Sequence, residues 1–486
     1  MVPMPASSTS IIPCPLQYQA RTRPDTPALL TSDEQFTFAE LHHEVEAAVY
    51  QLHRLGIRCG SRIALYAEEG STYVITLLAL WRMGAVAIPI NLRYPPEQLD
   101  RLLRQVSADR LITERSWIPR IQASIPIIAC DTLRPDSFTP LFESKRWQSL
   151  QHPATILFTS GSTALPKAVL HTYGNHFFSA RGANEHLPLE VGDRWLMVLP
   201  LYHVGGLAII FRCLLAGATM VLGCKQEPLP DQIEAFHITH VSLVATQFKR
   251  WLDSERPVPE HVRVILLGGS AIPASLIRRA EAQQLPIYLT YGMTEAASQV
   301  TTTRPGEAFA CPGASGHLLP YRELRLGEHD EIHVRGKTLC QGYVEGKAVH
   351  RITDEEGWYH TGDRGYLDEE GRLFVTGRLD NMFIAGGENI YPEEIEEALH
   401  ALPEVSQALV VPVPDETFGY RPGAFIQWAG TPLSLEDVRT RLRPHLARYK
   451  LPVVLFPWPE HAGKGSLKLS RTHFSELAAR YMERMP

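Results

Sequence analysis

Apolar positions along the first part of the chain switch repeatedly between two spacings. TFAELHHEVEAAVYQL carries them at helical intervals and opens with Thr37 and Glu40, the pairing of a capping box. RIALYA (62–67) reads as a strand, and STYVITLLALWRM as a largely apolar helix that stops at Gly84. AVAIPI follows as a buried strand. PPEQLDRLLRQV then places Leu99, Leu102, Leu103 and Val106 on one helical face, and RLIT is the next strand. Such alternation predicts an α/β fold with parallel strands. Further strands are expected at ATILF (154–158), RWLMVLP (194–200), VRVILLGG (262–269) and PIYLTYG (286–292).

From about 330 the pattern changes. DEIHVRG, GWYHTGDRGYLD and GRLFVTGR read as short strands split by glycine and acidic turns, which suits hairpins better than crossovers. A new unit begins after Arg378. In PEEIEEALHAL, residues Ile395, Ala398, Leu399 and Leu402 form one helical stripe. QALVVPVPD and VVLF are strands, and SLEDVRTRLRPHLARY is a helix kinked or split at Pro444. The expected organisation is a large N-terminal body over 1–378, of parallel and mixed sheets flanked by helices. Its β-rich part lies at about 310–378, and a small α+β domain covers 379–486.

Composition narrows the function classes. The 486 residues carry 47 Lys+Arg against 53 Asp+Glu, a net charge of −6, so no basic surplus points to nucleic acid or an anionic membrane. The seven cysteines are widely spaced without a C-x-x-C, which argues against a disulfide framework or a zinc-thiolate site. MVPMPASSTSIIPCP lacks the basic start and apolar core of a secretory signal. The longest apolar region, Met197 to Cys224, is interrupted by Pro200, His203, Gly205–Gly206 and Arg212, so no membrane span is expected. These features predict a cytoplasmic protein with reduced thiols.

Candidate chemistry begins at ILFTSGSTALPKAVLHT (156–172), where an apolar strand runs into Thr159, Ser160, Gly161, Ser162 and Thr163, then Pro166 and Lys167. Loop amides and small hydroxyls of this kind can wrap phosphate oxygens, and the lysine adds a point charge. It is not a Walker A loop, because the lysine stands between Pro166 and Ala168. The plain alternative is a polar hairpin turn. Further along come LPLYHVGGL (199–207), LLGGSAIP (266–273), YGMTE (291–295), YHTGDRGYLD (359–368), GRLDNMFIAGGENIYPEEIE (377–396) and HAGKGSLKLSR (461–471).

In this order the strings resemble the motifs of the adenylate-forming superfamily, which holds acyl- and aryl-CoA synthetases, firefly luciferase and peptide-synthetase adenylation domains. The resemblance implies ATP bound by Thr159–Thr163 and Lys167, adenine contacts from Gly268, Gly269 and Ser270, and Tyr291, Gly292 and Met293 beside the base. It implies Thr294 at the α-phosphate, Glu295 on Mg²⁺, Asp363 on the ribose hydroxyls and Arg378 at the nucleotide. His203 would sit at the acid pocket, and Asp380 would be the hinge of a mobile C-terminal domain. Lys468, with Lys464 as its rival, would be the lysine that swings to the reacting carboxylate. Ala164 and Ala168 depart from the glycines usual in the phosphate loop.

Within that superfamily, TSGSTALPKAVLHT, YGMTEAASQVTT, GASGHLLPYRELRL and GSLKLSR are most similar to the 2-succinylbenzoate–CoA ligases of menaquinone and phylloquinone synthesis. An aromatic acid with a second carboxylate implies a cationic anchor, for which Arg212 is the candidate, with Ser298 adding a polar contact. A structural salt bridge is the competing reading of Arg212. The implied partners are ATP, CoA and the aromatic acid, and a homo-oligomer stays open. Alternatives are another aryl- or fatty-acid CoA ligase, a carrier-protein-loading enzyme, a luciferase-type oxygenase, and a non-catalytic nucleotide or acyl sensor.

Overall fold

The computed structural model of the chain describes residues 10–134, 147–159, 166–224, 226–385, 388–415, 417–459 and 471–482. The early alternation resolves as read. Thr37 caps the helix Phe38–Arg54, with side chain and backbone satisfied reciprocally by Glu40. The buried helix Ser71–Met83 ends where Gly84 turns left-handed, φ 75°.

Two sheets result. In the smaller one, the strands Pro153–Thr159, Val86–Pro89, Arg62–Tyr66, Arg110–Thr113 and Ile127–Ala129 run parallel. Its other side is closed antiparallel by Lys167–Thr172 and Gly342–Glu345. The larger sheet has a parallel half built on Pro27–Leu30, Thr219–Leu222, Arg194–Met197, His240–Leu243, Val264–Leu267 and Ile287–Met293. Beyond Ile287–Met293 every pairing is antiparallel, through Ser298–Thr302, Ala314–Leu318, Arg372–Arg378, Tyr359–Leu367, Glu331–Gly336 and Arg322–Leu326. The hairpin pattern read from about 330 is this second half.

Side-chain alternation on the strands makes the layers. Trp195, Met220, Val264, Leu266 and Tyr288 point to a core shared with Ile63, Leu65, Ala87 and Leu157 of the smaller sheet. Helices 38–54, 71–83, 173–186 and 204–216 fill the space between. The opposite strand residues, among them Leu196, Val241, Ile265 and Leu289, face a second core under helices 229–235, 245–253 and 274–282. Leu99, Leu102, Leu103 and Val106 cover the outer face of the smaller sheet. The order is therefore helix, sheet, helix, sheet, helix.

The region after Arg378 has cores of its own. Ile395 and Leu399 of the helix Pro392–His400 pack on Val405–Asp415 and Gly419–Trp428, and Phe474 of the helix Arg471–Met482 packs on the other face. The helix expected to bend at Pro444 ends at Leu442, and the chain continues into a short turn at Arg448–Lys450. Proline cannot donate the bond that would continue it. The strand expected over 194–200 stops at Met197, because Pro200 opens a turn that feeds the helix Val204–Ala216. Among the described residues no helix is long and apolar enough to cross a membrane.

Candidate active site

Tyr291–Glu295 lies where the larger sheet changes from parallel to antiparallel pairing. The motif thus follows the carboxyl end of the last parallel strand, the end at which open α/β sheets bind ligands. The register slips between Tyr291 and Gly292, a bulge. Gly292 is required there: a Cβ would lie 2.1 Å from the Ser298 carbonyl oxygen. The chain then forms a single turn at Thr294–Ala296 and passes through Ala297 at φ 52° and Ser298 at φ 110°. A positive φ at Ser298 is strained for a side chain that is not glycine, and such strain concentrates at functional sites.

The motif carboxylates are held by hydroxyls and guanidinium. The Tyr291 hydroxyl donates to Asp363 at 2.7 Å, and Arg378 donates to the other Asp363 oxygen at 3.0 Å. Burial and the Asp363 charge push the Tyr291 phenol well above its usual pKa, so it remains a donor. The same guanidinium grips Asp380 through two bonds, at 2.7 and 2.9 Å. That bidentate pairing holds the Asp380 carboxyl below the usual range, aided by the charge of Lys167. Sequence reading implied that the Tyr291 ring lies at the adenine; what the structure shows is its hydroxyl on Asp363.

Glu295 accepts a bond from the Tyr343 hydroxyl at 2.9 Å. The Tyr343 and Tyr359 hydroxyls lie 3.3 Å apart, and Lys167 Nζ stands 4.9 Å over the Tyr343 ring. Lys167 and Thr159 are register partners at the open end of their two strands, so the phosphate-type loop joins these two residues. Ser160, Gly161, Ser162 and Thr163 lie outside the described residues, as do Ala164, Lys464 and Lys468. Ala168 packs its methyl among buried residues on an ordinary strand, so the loss of glycine there strains nothing. Gly268, Gly269 and Ser270 end the strand Val264–Leu267 on the same side of the sheet, with Gly269 at φ 83°. Met293 closes the strand that bears Tyr291, and His203 sits at the start of the helix Val204–Ala216, its ring 4.7 Å from that of Tyr202.

Arg212 is 1% exposed, and among the described residues it meets no carboxylate. It donates to Ser298 Oγ at 3.2 Å and lies 5.2 Å over the Trp195 ring, while among the described residues its Nε has no partner. A salt bridge was the competing reading, and none is present among the described residues. Arg322 is a second buried guanidinium whose Nε has no partner among the described residues. It donates to Ser179, whose hydroxyl in turn holds the Ala297 carbonyl at 2.6 Å. Burial pulls the two arginines down to about 10 and about 9, and both stay charged at neutral pH.

The sequence did not single out Tyr343, His171, Ser179 or Arg322. His171 interrupts the apolar run AVLHT, which was the available signal. It is fully buried and bonds the Thr294 carbonyl at 2.7 Å, and burial lowers its pKa to about 4.

The comparisons with known proteins fall on this geometry. A model described as "AMP-binding enzyme" matches residues 16–344, and one described as "AMP-binding enzyme C-terminal domain" matches 394–460. The chain belongs to the AMP-binding enzyme family. Among its relatives, the 2-succinylbenzoate–CoA ligase of Bacillus licheniformis is 33% identical over 450 residues, 90% of this chain and 94% of that one. The ligase of the same name from Bacillus cytotoxicus is 33% identical over 475 residues, 95% and 98% of the two chains. The solved o-succinylbenzoate CoA synthetase of Bacillus subtilis, in complex with its acyl-adenylate intermediate, superposes with a TM-score of 0.86 at 30% identity. It covers 96% of this chain and 98% of its own. The same enzyme with ATP and magnesium gives 0.83 at 30% identity, over 92% and 96%. The Escherichia coli counterpart gives 0.80 at 31%, over 96% and 99%. The fold of this AMP-binding enzyme is thus the α/β arrangement expected from its sequence.

Proposed function

We propose that this AMP-binding enzyme joins 2-succinylbenzoate to CoA through an acyl-adenylate, releasing AMP and diphosphate. The observation that carries the choice of acid is the Arg212–Ser298 pair: a buried cation on the helix Val204–Ala216, without a carboxylate among the described residues, that reaches Ser298 on the strained turn following Glu295. A buried charge without a partner is costly, and a ligand carboxylate would compensate it. Relatives named for the same acid support this reading.

In the first half-reaction a carboxylate oxygen of the acid forms a bond to the α-phosphorus, and the bond to diphosphate breaks. In the second, the CoA sulfur bonds the acyl carbon and AMP leaves. Bringing two anions together is the electrostatic problem. Lys167, the loop amides and the swinging lysine, for which Lys468 is favoured over Lys464, supply fixed positive charge. Thr294 would meet the α-phosphate, and Asp363 and Arg378 would hold the ribose side. Glu295 fits a hard cation: Tyr343 donates to one oxygen, and the other keeps the lone pairs that Mg²⁺ takes. When bound, Mg²⁺ would offset phosphate charge. His203 would line the acid pocket. The acid places the step in menaquinone or phylloquinone synthesis, and the seven free cysteines support a cytoplasmic setting.

The decisive assay is acid-dependent pyrophosphate exchange with 2-succinylbenzoate beside benzoate, acetate and a long-chain fatty acid. Exchange driven best by 2-succinylbenzoate, followed by its CoA thioester, supports the proposal. Preference for another acid makes the protein a different ligase, and no exchange with any acid makes it a sensor. Lys468→Ala should cut adenylation by ~10²–10³, the size of losing one key charge-stabilising donor, and spare thioester formation from supplied acyl-adenylate.

A further inference from the structure

The antiparallel half of the larger sheet carries a cluster that the ligase chemistry leaves unused. His333 and His360 are register partners on neighbouring strands, and Glu331 stands two residues before His333 on the same face. The two imidazole rings lie 3.9 Å apart, and one oxygen, Glu331 Oε2, is 3.1 Å from His333 Nε2 and 3.5 Å from His360 Nδ1. All three donor atoms fall within 4.8 Å of one another. On the far side of its ring, His360 Nε2 meets Asp354 Oδ2 at 3.2 Å.

The hydrogen-bond network sets the electron pairs. A carboxylate only accepts, so His360 gives its Nε2–H to Asp354 and keeps a lone pair on Nδ1. That lone pair faces Glu331 Oε2, which also has only lone pairs to offer. A positive centre between the two atoms, either a proton or a metal, would turn that apposition into an attraction. A histidine backed by a carboxylate, with its other nitrogen turned to a shared point, is the arrangement that orients a metal ligand. Local charge favours a cation as well. Glu331, Asp354, Glu356 and Glu323 outnumber Arg325 and Arg335, the two guanidinium groups paired with them. Arg325 is engaged by Glu356 at 2.9 Å, and its approach to His333 Nδ1, at 3.5 Å, is long. Two imidazoles and a carboxylate suit zinc, cobalt or nickel and do not suit magnesium, which prefers oxygen alone.

We propose that Glu331, His333 and His360 bind a divalent transition cation of the zinc class, with Asp354 orienting His360. The site is separate from Glu295. It lies behind the turn of the ribose motif, because Glu331 Oε1 accepts the Gly362 N–H at 2.9 Å, next to Asp363. The metal would brace that turn from the outer side.

The test uses the full chain, freed of metal and without nucleotide, in excess Mg²⁺. Equilibrium dialysis against Zn²⁺ should show a site that His360→Asn and His333→Asn remove and that Asp354→Asn weakens by ~10–100-fold. His360 is half exposed, so His360→Asn keeps the fold even where His333→Asn does not. Co²⁺ loaded into the same site should give visible bands without sulfur charge transfer. Zn²⁺ uptake that is absent from the parent protein, or unchanged in His360→Asn, overturns the proposal. Cobalt spectra dominated by sulfur do the same, because they place the ion on one of the free cysteines.

Discussion

Arg212 is a cation solvated by neutral atoms: a serine hydroxyl, an indole face and nothing at Nε among the described residues. Its replacement separates a ligand anchor from a packing element. Arg212→Leu should raise KM for 2-succinylbenzoate on the order of 10²-fold, the cost of unpairing a buried charge, while KM for benzoate changes little. Equal rises for the two acids would show that Arg212 only packs. Gly292 permits no side chain at all, since a methyl would meet backbone. Gly292→Ala should cost about 1–3 kcal/mol of stability by overpacking, read as a lower urea midpoint, with adenylation lost alongside it. Legibility at this scale was uneven. Glu295, Asp363 and Arg378 stand in motifs and could be singled out as candidates. Ser179 and Arg322 could not, because a serine in a helix and an arginine in a β-alternating YRELRL look like surface residues until the tertiary fold buries them.

The element that organises the site is the turn between the strands Ile287–Met293 and Ser298–Thr302, and three supports hold it from behind. His171 bonds the Thr294 carbonyl, Ser179 bonds the Ala297 carbonyl, and Arg322 fixes Ser179. Ser179→Ala removes one support and keeps the volume. It should cost about 1–3 kcal/mol for the carbonyl left unpaired. It should raise KM for the dicarboxylate more than KM for ATP, because the slack reaches Ser298 first; steady-state kinetics with both substrates varied would show it. The early strands and helices were legible in the sequence through periodicity and the caps at Thr37 and Gly84, whereas the helices 173–186, 204–216, 229–235, 245–253 and 274–282 were not read. The bulge was not. A register shift depends on which strand arrives opposite, and that partner, the strand Ser298–Thr302, is specified by sheet order rather than by local pattern.

At the scale of the whole molecule, burial of histidine sets the acid limit. His171 and His240 are each lowered from 6.5 to about 4, and His176 is lowered well below 6.5, by burial. Between these values the unfolded chain binds more protons than the folded one, so stability is full above about pH 6.5 and falls as pH drops toward 4. Urea midpoints should decline across that window, and His171→Gln should make the decline shallower; an unchanged slope would show that His171 does not contribute. The proposed hinge is tested at the same scale. Asp380→Pro fixes φ, and one half-reaction should persist while the other falls by ~10². The break in pattern near 378 was read as a division, and the residues after it do form cores of their own, but which residues on either side of 378 meet was not legible. Tyr391, for example, lies under Arg364, 4.1 Å from its guanidinium carbon.

Arg378 answers to two carboxylates, Asp363 in the ribose motif and Asp380 at the proposed hinge. A ribose that engages Asp363 alters what that guanidinium can give to Asp380. With Asp380 as the hinge, linkage would make the effect mutual: the angle of the C-terminal domain would change how tightly AMP is held, by the same factor with which AMP would bias the angle. The escape of the nucleotide product and the resetting of the lid would then be one event, timed by a single side chain.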